Sequence, residues 1–155
     1  RIHANLDDNP WTREFQTCKV TGPDGYKYEP VWINPRDAAK MGVRTGDVVK
    51  LFNERGGVLG GVYVTERIMP GVVYQDHGAR TDTIVGGKGG LDRGGANNLI
   101  CPTATSSTHA YGEVTSGYLV GVEKVDVFEL ARQYPEAFNR PYDPEQGLVV
   151  ESRLA

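Results

Sequence analysis

Two glycine-rich segments carry the residues best suited to chemistry. They are Gly86-Gly87-Lys88-Gly89-Gly90 and Arg93-Gly94-Gly95, which runs on into Ala96-Asn97-Asn98. Without a Cβ, glycine lets backbone amides turn inward toward an anion, and a neighbouring Lys or Arg adds a charge-assisted donor. A phosphate or diphosphate can be held in this way without a helix N-terminus. A Gly/Lys loop is more often a plain surface turn, so at 86–90 turn-making outweighs binding. Arg93, Gly95 and Asn98 form the stronger candidate, because a carboxamide both donates and accepts and so suits the edge of a guanine or pterin ring. Read alone, the Asn pair fits turn chemistry equally well.

Three further groups stand apart in the chain. His3-Ala4-Asn5, with Trp11 nearby, offers an imidazole donor and a flat surface for a heterocycle, although packing at a domain boundary is the plainer reading. His77-Gly78-Ala79-Arg80 follows Asp76, but adjacent strand residues face opposite sides, which argues against an acid/base pair acting on one atom. Thr115-Ser116-Gly117-Tyr118 makes a short hydroxyl-bearing loop ahead of an apolar strand. His109 and Tyr111 sit in a Ser/Thr-rich loop with no recognisable partner. No GxSxG elbow, P-loop or metal-spaced His/Cys cluster occurs, so no catalytic residue and no metal ligand is assigned. Cys18 and Cys101 lack CxxC spacing; a disulfide between them stays open, while an iron–sulfur cluster on this piece is disfavoured.

The elements that must position these groups read as mainly β. Glycines are spread along the chain, with short β-branched segments between them, as in a barrel or sandwich. Strands are predicted at residues 30–34, 48–54, 60–68, 71–76, 97–100 and 116–125. In the third, Val62 and Val64 alternate with Tyr63, Thr65 and Arg67, the pattern of one buried and one wetter face. Asn34 suits an N-cap, Pro35 the first helical position, Ala38, Ala39 and Met41 a short helix, and Gly42 its left-handed stop. Gly22-Pro23-Asp24-Gly25 is a turn that fits a small hairpin. A longer helix starts at Asp126, with Glu129 in capping-box register, an apolar face of Val127, Leu130, Ala131 and Tyr134, and Pro135 to stop or kink it.

The 155 residues suit one domain, read as 1–138 with an extended tail at 139–155 that docks on another part of a larger protein. The absence of an initiator Met gives the same expectation of a larger parent. Net charge is −3 and the pI about 5.6, which leaves no basic field for nucleic acid, and no apolar run approaches a membrane span.

Four segments in combination resemble the C-terminal cofactor-binding domain of the dimethyl sulfoxide reductase family. They are Trp32-Ile33-Asn34-Pro35-Arg36-Asp37-Ala38-Ala39, Gly46-Asp47-Val48-Val49-Lys50-Leu51, Asp92-Arg93-Gly94-Gly95-Ala96-Asn97-Asn98-Leu99 and Val120-Gly121-Val122-Glu123-Lys124-Val125. The resemblance implies a six-stranded double-psi β-barrel with short helices that clamps bis-molybdopterin guanine dinucleotide, carrying molybdenum or tungsten, from one side. It implies cofactor contact at His3, Ala4, Asn5, His77, Gly78, Arg80, Arg93, Gly95, Asn98, Thr115 and Ser116. Three positions depart from the family pattern: Ala4 stands where Ser is usual, Asn5 where Gln is usual, and Arg80 where Trp is common. The metal's protein ligand and any 4Fe–4S centre would belong to other domains of the large subunit or to an iron–sulfur small subunit. The isolated piece is then expected to be inactive and the parent cytoplasmic.

Within the family, the wording is most similar to the trihydroxybenzene transhydroxylases, with sulfoxide, polysulfide and thiosulfate reductases as rivals. Two other classes remain: a cofactor-independent double-psi binding module, such as the N-domain of an ATPase, and a small hydrolase using His and Asp. A binding module would not need segments 93–98 and 77–79 to meet, and a hydrolase would turn over substrate without cofactor. The cofactor reading expects His3, His77 and Asn98 on one rim.

Overall fold

The computed structural model describes residues 15, 17–109, 112, 117–143 and 148–149, and within them the chain is mainly β with a few short helices. Strands β1 (Val20–Thr21) and β2 (Lys27–Tyr28) form the expected hairpin, with Val20 opposite Tyr28. Asp24 shapes its turn by accepting from the Tyr26 amide at 3.3 Å and from the Tyr28 hydroxyl at 2.7 Å. β3 (Pro30–Ile33) leads into α1 (Pro35–Met41). Asn34 caps that helix, its Oδ1 accepting from Arg36 N at 3.0 Å, while its Nδ2 donates to the Ile68 carbonyl at 2.7 Å. Gly42 ends the helix at φ 65°, as its position in the sequence predicts.

The sheet is organised around β5 (Gly56–Val64). One edge of β5 pairs antiparallel with β4 (Val48–Asn53). Its other edge pairs parallel with β3 and with β8 (Gly90–Asp92). β6 (Val73–Tyr74) adds to β3, β7 (Thr83–Val85) to β8, and β9 (Gly121–Val125) to the free edge of β4. One core cluster lies around Val31, Ile33, Val49, Leu51, Val58, Val62 and Ile100, and a second around Tyr26, Tyr28, Val48, Leu59 and Val127.

Several predicted strands differ from those observed. The one expected at 60–68 begins at Gly56, ends at Val64, and is buried on both faces as far as Val62. Val31 packs where a Gly60 side chain would stand and Val20 where a Gly61 side chain would stand, so no wet face exists there. Segment 71–76 shortens to Val73–Tyr74, and the strand expected at 116–125 is Gly121–Val125 among the described residues. Segment 97–100 is a 3-10 turn, Asn97–Leu99, not a strand. The amides of Ile100 and Cys101 both donate to the Asn97 carbonyl at 3.1 Å. The Asn53 carboxamide takes up the Ile100 carbonyl at 2.8 Å, so local bonds replace a ladder. β7 and β8 lie outside every predicted strand.

After β9, Asp126 caps α2 (Val127–Gln133), accepting from the amides of Phe128 at 2.9 Å and Glu129 at 3.2 Å. Val127 is buried and Leu130 and Ala131 half-buried, whereas Tyr134, expected on the same face, is exposed. Tyr134 has left helical geometry (φ −129°, ψ 60°) because Pro135 follows it and opens α3 (Pro135–Phe138). Beyond it β10 (Tyr142–Asp143) pairs with β11 (Leu148–Val149). The Tyr142 ring stacks on Tyr26 with centroids 4.4 Å apart, and its hydroxyl accepts from the Lys27 amide at 3.0 Å.

The packing against β5 generates a contrast that unfolding experiments can read. A Cβ on Gly61 would lie 2.5 Å from the Val20 Cβ, whereas one on Gly86 would meet only a Thr83 methyl at 4.0 Å. In the full-length protein, G61A is expected to destabilise by about 1–3 kcal/mol. G86A should stay within roughly 0.5 kcal/mol of the parent. Denaturant midpoints of the two variants check this.

Candidate functional site

A concavity opens between β6, the Asn97–Leu99 turn and the segment preceding β9, and encloses about 470 Å³. That is a volume typical of small-molecule sites. Leu51, Val73 and Ile100 supply apolar surface, and Tyr74, Gln75, His77, Asn97, Asn98, Cys101, Gly117, Tyr118 and Val120 complete its walls. Asn97 donates through Nδ2 to the Asp76 carbonyl at 3.1 Å and so ties the turn to the end of β6. Its oxygen keeps acceptor capacity. The Tyr74 hydroxyl donates to Asp76 Oδ1 at 2.7 Å. Burial, with Cys101 adding to it, raises the Tyr118 phenol above its ordinary range, which keeps it a hydrogen-bond donor near neutral pH.

His77 and Asn98 therefore share one cleft, although 21 residues of chain separate them. Both are exposed, which suits side chains that meet a ligand. Gly78 and Arg80 follow at the exposed end of that segment, and neither is among the cleft-lining residues. His3, Ala4, Asn5, Trp11, Tyr111, Thr115 and Ser116 lie outside the described residues. Cys18 and Cys101 form no disulfide.

Arg93 is placed differently from the other candidates. Its guanidinium is buried, pairs with Asp24 at 2.7 Å, and donates through Nε to the Tyr28 hydroxyl at 3.4 Å. It is sandwiched between the rings of Tyr26 (4.0 Å) and Phe138 (4.3 Å). Desolvation, with Asp24 second, raises the Tyr28 phenol well above its ordinary value, so it stays protonated and donates to Asp24. In this arrangement Arg93 joins the hairpin, the 92–96 loop and α3. Its charge is engaged inside the domain.

Sequence reasoning gave no role to Asp92, whose side chain is fully buried beneath the same loop. Its Oδ1 accepts from Asp82 N at 2.6 Å and its Oδ2 from Ala96 N at 3.0 Å. Burial raises its pKa, and the backbone donors of Ala96, Asp82 and Gly95 oppose that rise. The carboxylate thus clamps the segment after His77 to the segment before Asn98. The signal that marks it is an Asp opening a Gly-rich turn, where a short acceptor can close on nearby amides. Gly95 completes the arc at φ 86°, with Glu29 directly below it, and Glu29 pairs with buried Lys19.

A mainly β domain with a cleft lined by carboxamides, an imidazole and apolar side chains is suited to hold a flat heterocycle. The sequence profile described as Molydopterin dinucleotide binding domain matches residues 9–115, and the chain belongs to that family. Its relatives include enzymes of the dimethyl sulfoxide reductase family. It is 39% identical over 127 residues to trimethylamine-N-oxide reductase 1 of Escherichia coli (strain K12), covering 80% of this chain and 14% of that protein. It is 36% identical over 104 residues to the pyrogallol hydroxytransferase large subunit of Pelobacter acidigallici, covering 66% of this chain and 12% of that protein. With dimethyl sulfoxide reductase DmsA of Escherichia coli (strain K12) it shares 42% over 97 residues, 63% of this chain and 11% of that protein. The chain thus spans about one seventh of the length of the curated relatives it matches.

The role of Asp92 is testable. D92A in the full-length protein is expected to cost about 1–3 kcal/mol for each backbone amide left unpaired. The melting temperature should fall, and amide hydrogen exchange should rise first at residues 80–82 and 94–98. Unchanged protection of those amides would show that the loop holds itself.

Proposed function

We propose that this chain clamps the pyranopterin guanine dinucleotide of a larger molybdenum or tungsten enzyme from one side, as a six-stranded double-psi β-barrel that is itself non-catalytic. The observation that supports this reading is the meeting of His77, Asn97 and Asn98 in one cleft. The donor set fits the group: carboxamides and an imidazole for ring edges, and Leu51, Val73 and Ile100 for a flat ring face. His77 and Asn98 would hold the cofactor directly, with Gly78 and Gly95 allowing close backbone approach. Arg80, exposed at the rim, would add a cation near phosphate. His3, Ala4, Asn5, Thr115 and Ser116 belong to the same proposed set, while Arg93 serves by fixing the loop that carries Asn98. The bound cofactor supplies two-electron chemistry at its metal, and this domain supplies position and electrostatics.

The parent we infer is an enzyme of oxygen-atom transfer, a reading supported by the identities with the trimethylamine-N-oxide and dimethyl sulfoxide reductases. A trihydroxybenzene transhydroxylase is the second reading, supported by the identity with the pyrogallol hydroxytransferase large subunit. The remaining domains of the large subunit would cover the cleft, a 4Fe–4S centre would lie in another domain or in a small subunit, and the assembly would be cytoplasmic. Among the described residues no helix is long and apolar enough to cross a membrane.

Asn98→Asp tests the reading. It preserves size but replaces a donor with negative charge beside an anionic cofactor. Hydrogen bonds to charged groups contribute roughly 1.5–3 kcal/mol, so cofactor retention should fall by about tenfold or more. The melting profile of the cofactor-free protein should not move, because Asn98 is exposed. Guanine nucleotide, pterin and metal content of the purified full-length variant check this, and full occupancy would reduce Asn98 to a turn residue.

A further inference from the structure

Gln75 takes no part in the contacts described so far. It follows β6 on the cleft wall, two residues before His77. Its amide nitrogen and carbonyl oxygen are both shielded from solvent, and neither has a hydrogen-bond partner. Buried polar atoms in folded proteins are ordinarily paired, so such a side chain calls for an explanation. Its position is built into the fold. Nε2 lies 3.2 Å from where a Cβ would stand on Gly60, and also 3.2 Å from where one would stand on Gly95. A side chain at either glycine would press on the amide. Of its neighbours, Asn97 spends its Nδ2 on the Asp76 carbonyl, and Glu29 beyond Gly95 is paired with Lys19. Gln75 is thus a shielded donor and acceptor pair with its full capacity in hand.

We propose that Gln75 reads the lactam edge of the ring seated in the cleft, its oxygen accepting the ring N–H and its nitrogen donating to the adjacent ring carbonyl. A primary carboxamide offers a donor and an acceptor side by side, which is the complement of a cyclic N–H/C=O edge. Guanine and pterin both carry that edge. The proposal rests on the cofactor-cleft reading and adds to it the residue that recognises the ring. Gly60 and Gly95 acquire a reason in the same step, since their missing side chains leave the amide its place.

The test titrates cofactor-free full-length protein with guanosine diphosphate and, separately, with 6-hydroxymethylpterin. Each is paired with an analogue methylated on the ring nitrogen of the lactam edge. Wild type is expected to prefer one unmethylated probe over its methyl analogue by about tenfold, the scale of one lost hydrogen bond in a shielded site. The probe that shows the preference identifies the ring, guanine or pterin. Q75L should bind that probe and its methyl analogue alike, a change that a merely structural role would not produce. Q75E keeps the volume and the acceptors but lacks the donor, so it should weaken the unmethylated probe as well, and it carries the test if Q75L does not fold. A preference retained in the folded variants, or absent in wild type, overturns the proposal. If wild type binds none of the four probes and the native enzyme releases neither pterin nor guanine nucleotide, the cofactor-cleft reading itself fails.

Discussion

Close approach at β5 is the constraint on which the rest of the domain depends. Its glycines leave the strand so narrow that neighbours crowd both faces as well as both edges. Val31 fills the place of a Gly60 side chain, Val20 that of Gly61, and the Gly90 backbone lies against Gly56. Ordinarily glycine weakens a strand, through its conformational freedom and the lack of a side chain to pack. Here the loss is offset by the burial of Val20, Tyr28, Val31, Val58, Leu59 and Val62 around the strand. With β5 so thin, the hairpin packs against it through Val20 and Tyr28, and β8 lies along its edge.

The loop that carries Asn97 and Asn98 is held from the inside. Asp92 closes on backbone amides below it, and Arg93 turns away to Asp24, Tyr28 and two aromatic rings. An arginine beside two glycines reads as a phosphate holder, and the same donors serve as well to brace a turn. In this structure an acidic partner lies within reach. Asp24, nearly seventy residues earlier in the chain, is that partner. A rigid arc lets the exposed carboxamide at its end meet a ligand with little ordering left to do.

Local signals were the legible part of this fold. The Asn34 cap, Pro35, the left-handed Gly42, the turn at 22–25 and the Asp126 cap each involve a few consecutive residues, and each appears as expected. The meeting of His77 with Asn98 followed from family resemblance and not from spacing. Features set by distant neighbours were not legible. β7 and β8 exist because β5 offers an edge, and short Gly-containing segments show no periodicity of their own. The turn at Asn97 reads as a strand in sequence because its apolar residues carry no record of which carbonyl their amides find. Gln75 is not legible in sequence for the same reason: what shields its carboxamide includes the backbone near Gly60 and Gly95, both distant in the chain.

The stack of Tyr142 on Tyr26 and the contact of Phe138 with Arg93 bring the chain, as it leaves the sheet, back to where the first hairpin entered it. Trimming the chain before Tyr142 would therefore bare one face of the Tyr26 ring, which also meets the Arg93 guanidinium, without removing any strand of the main sheet.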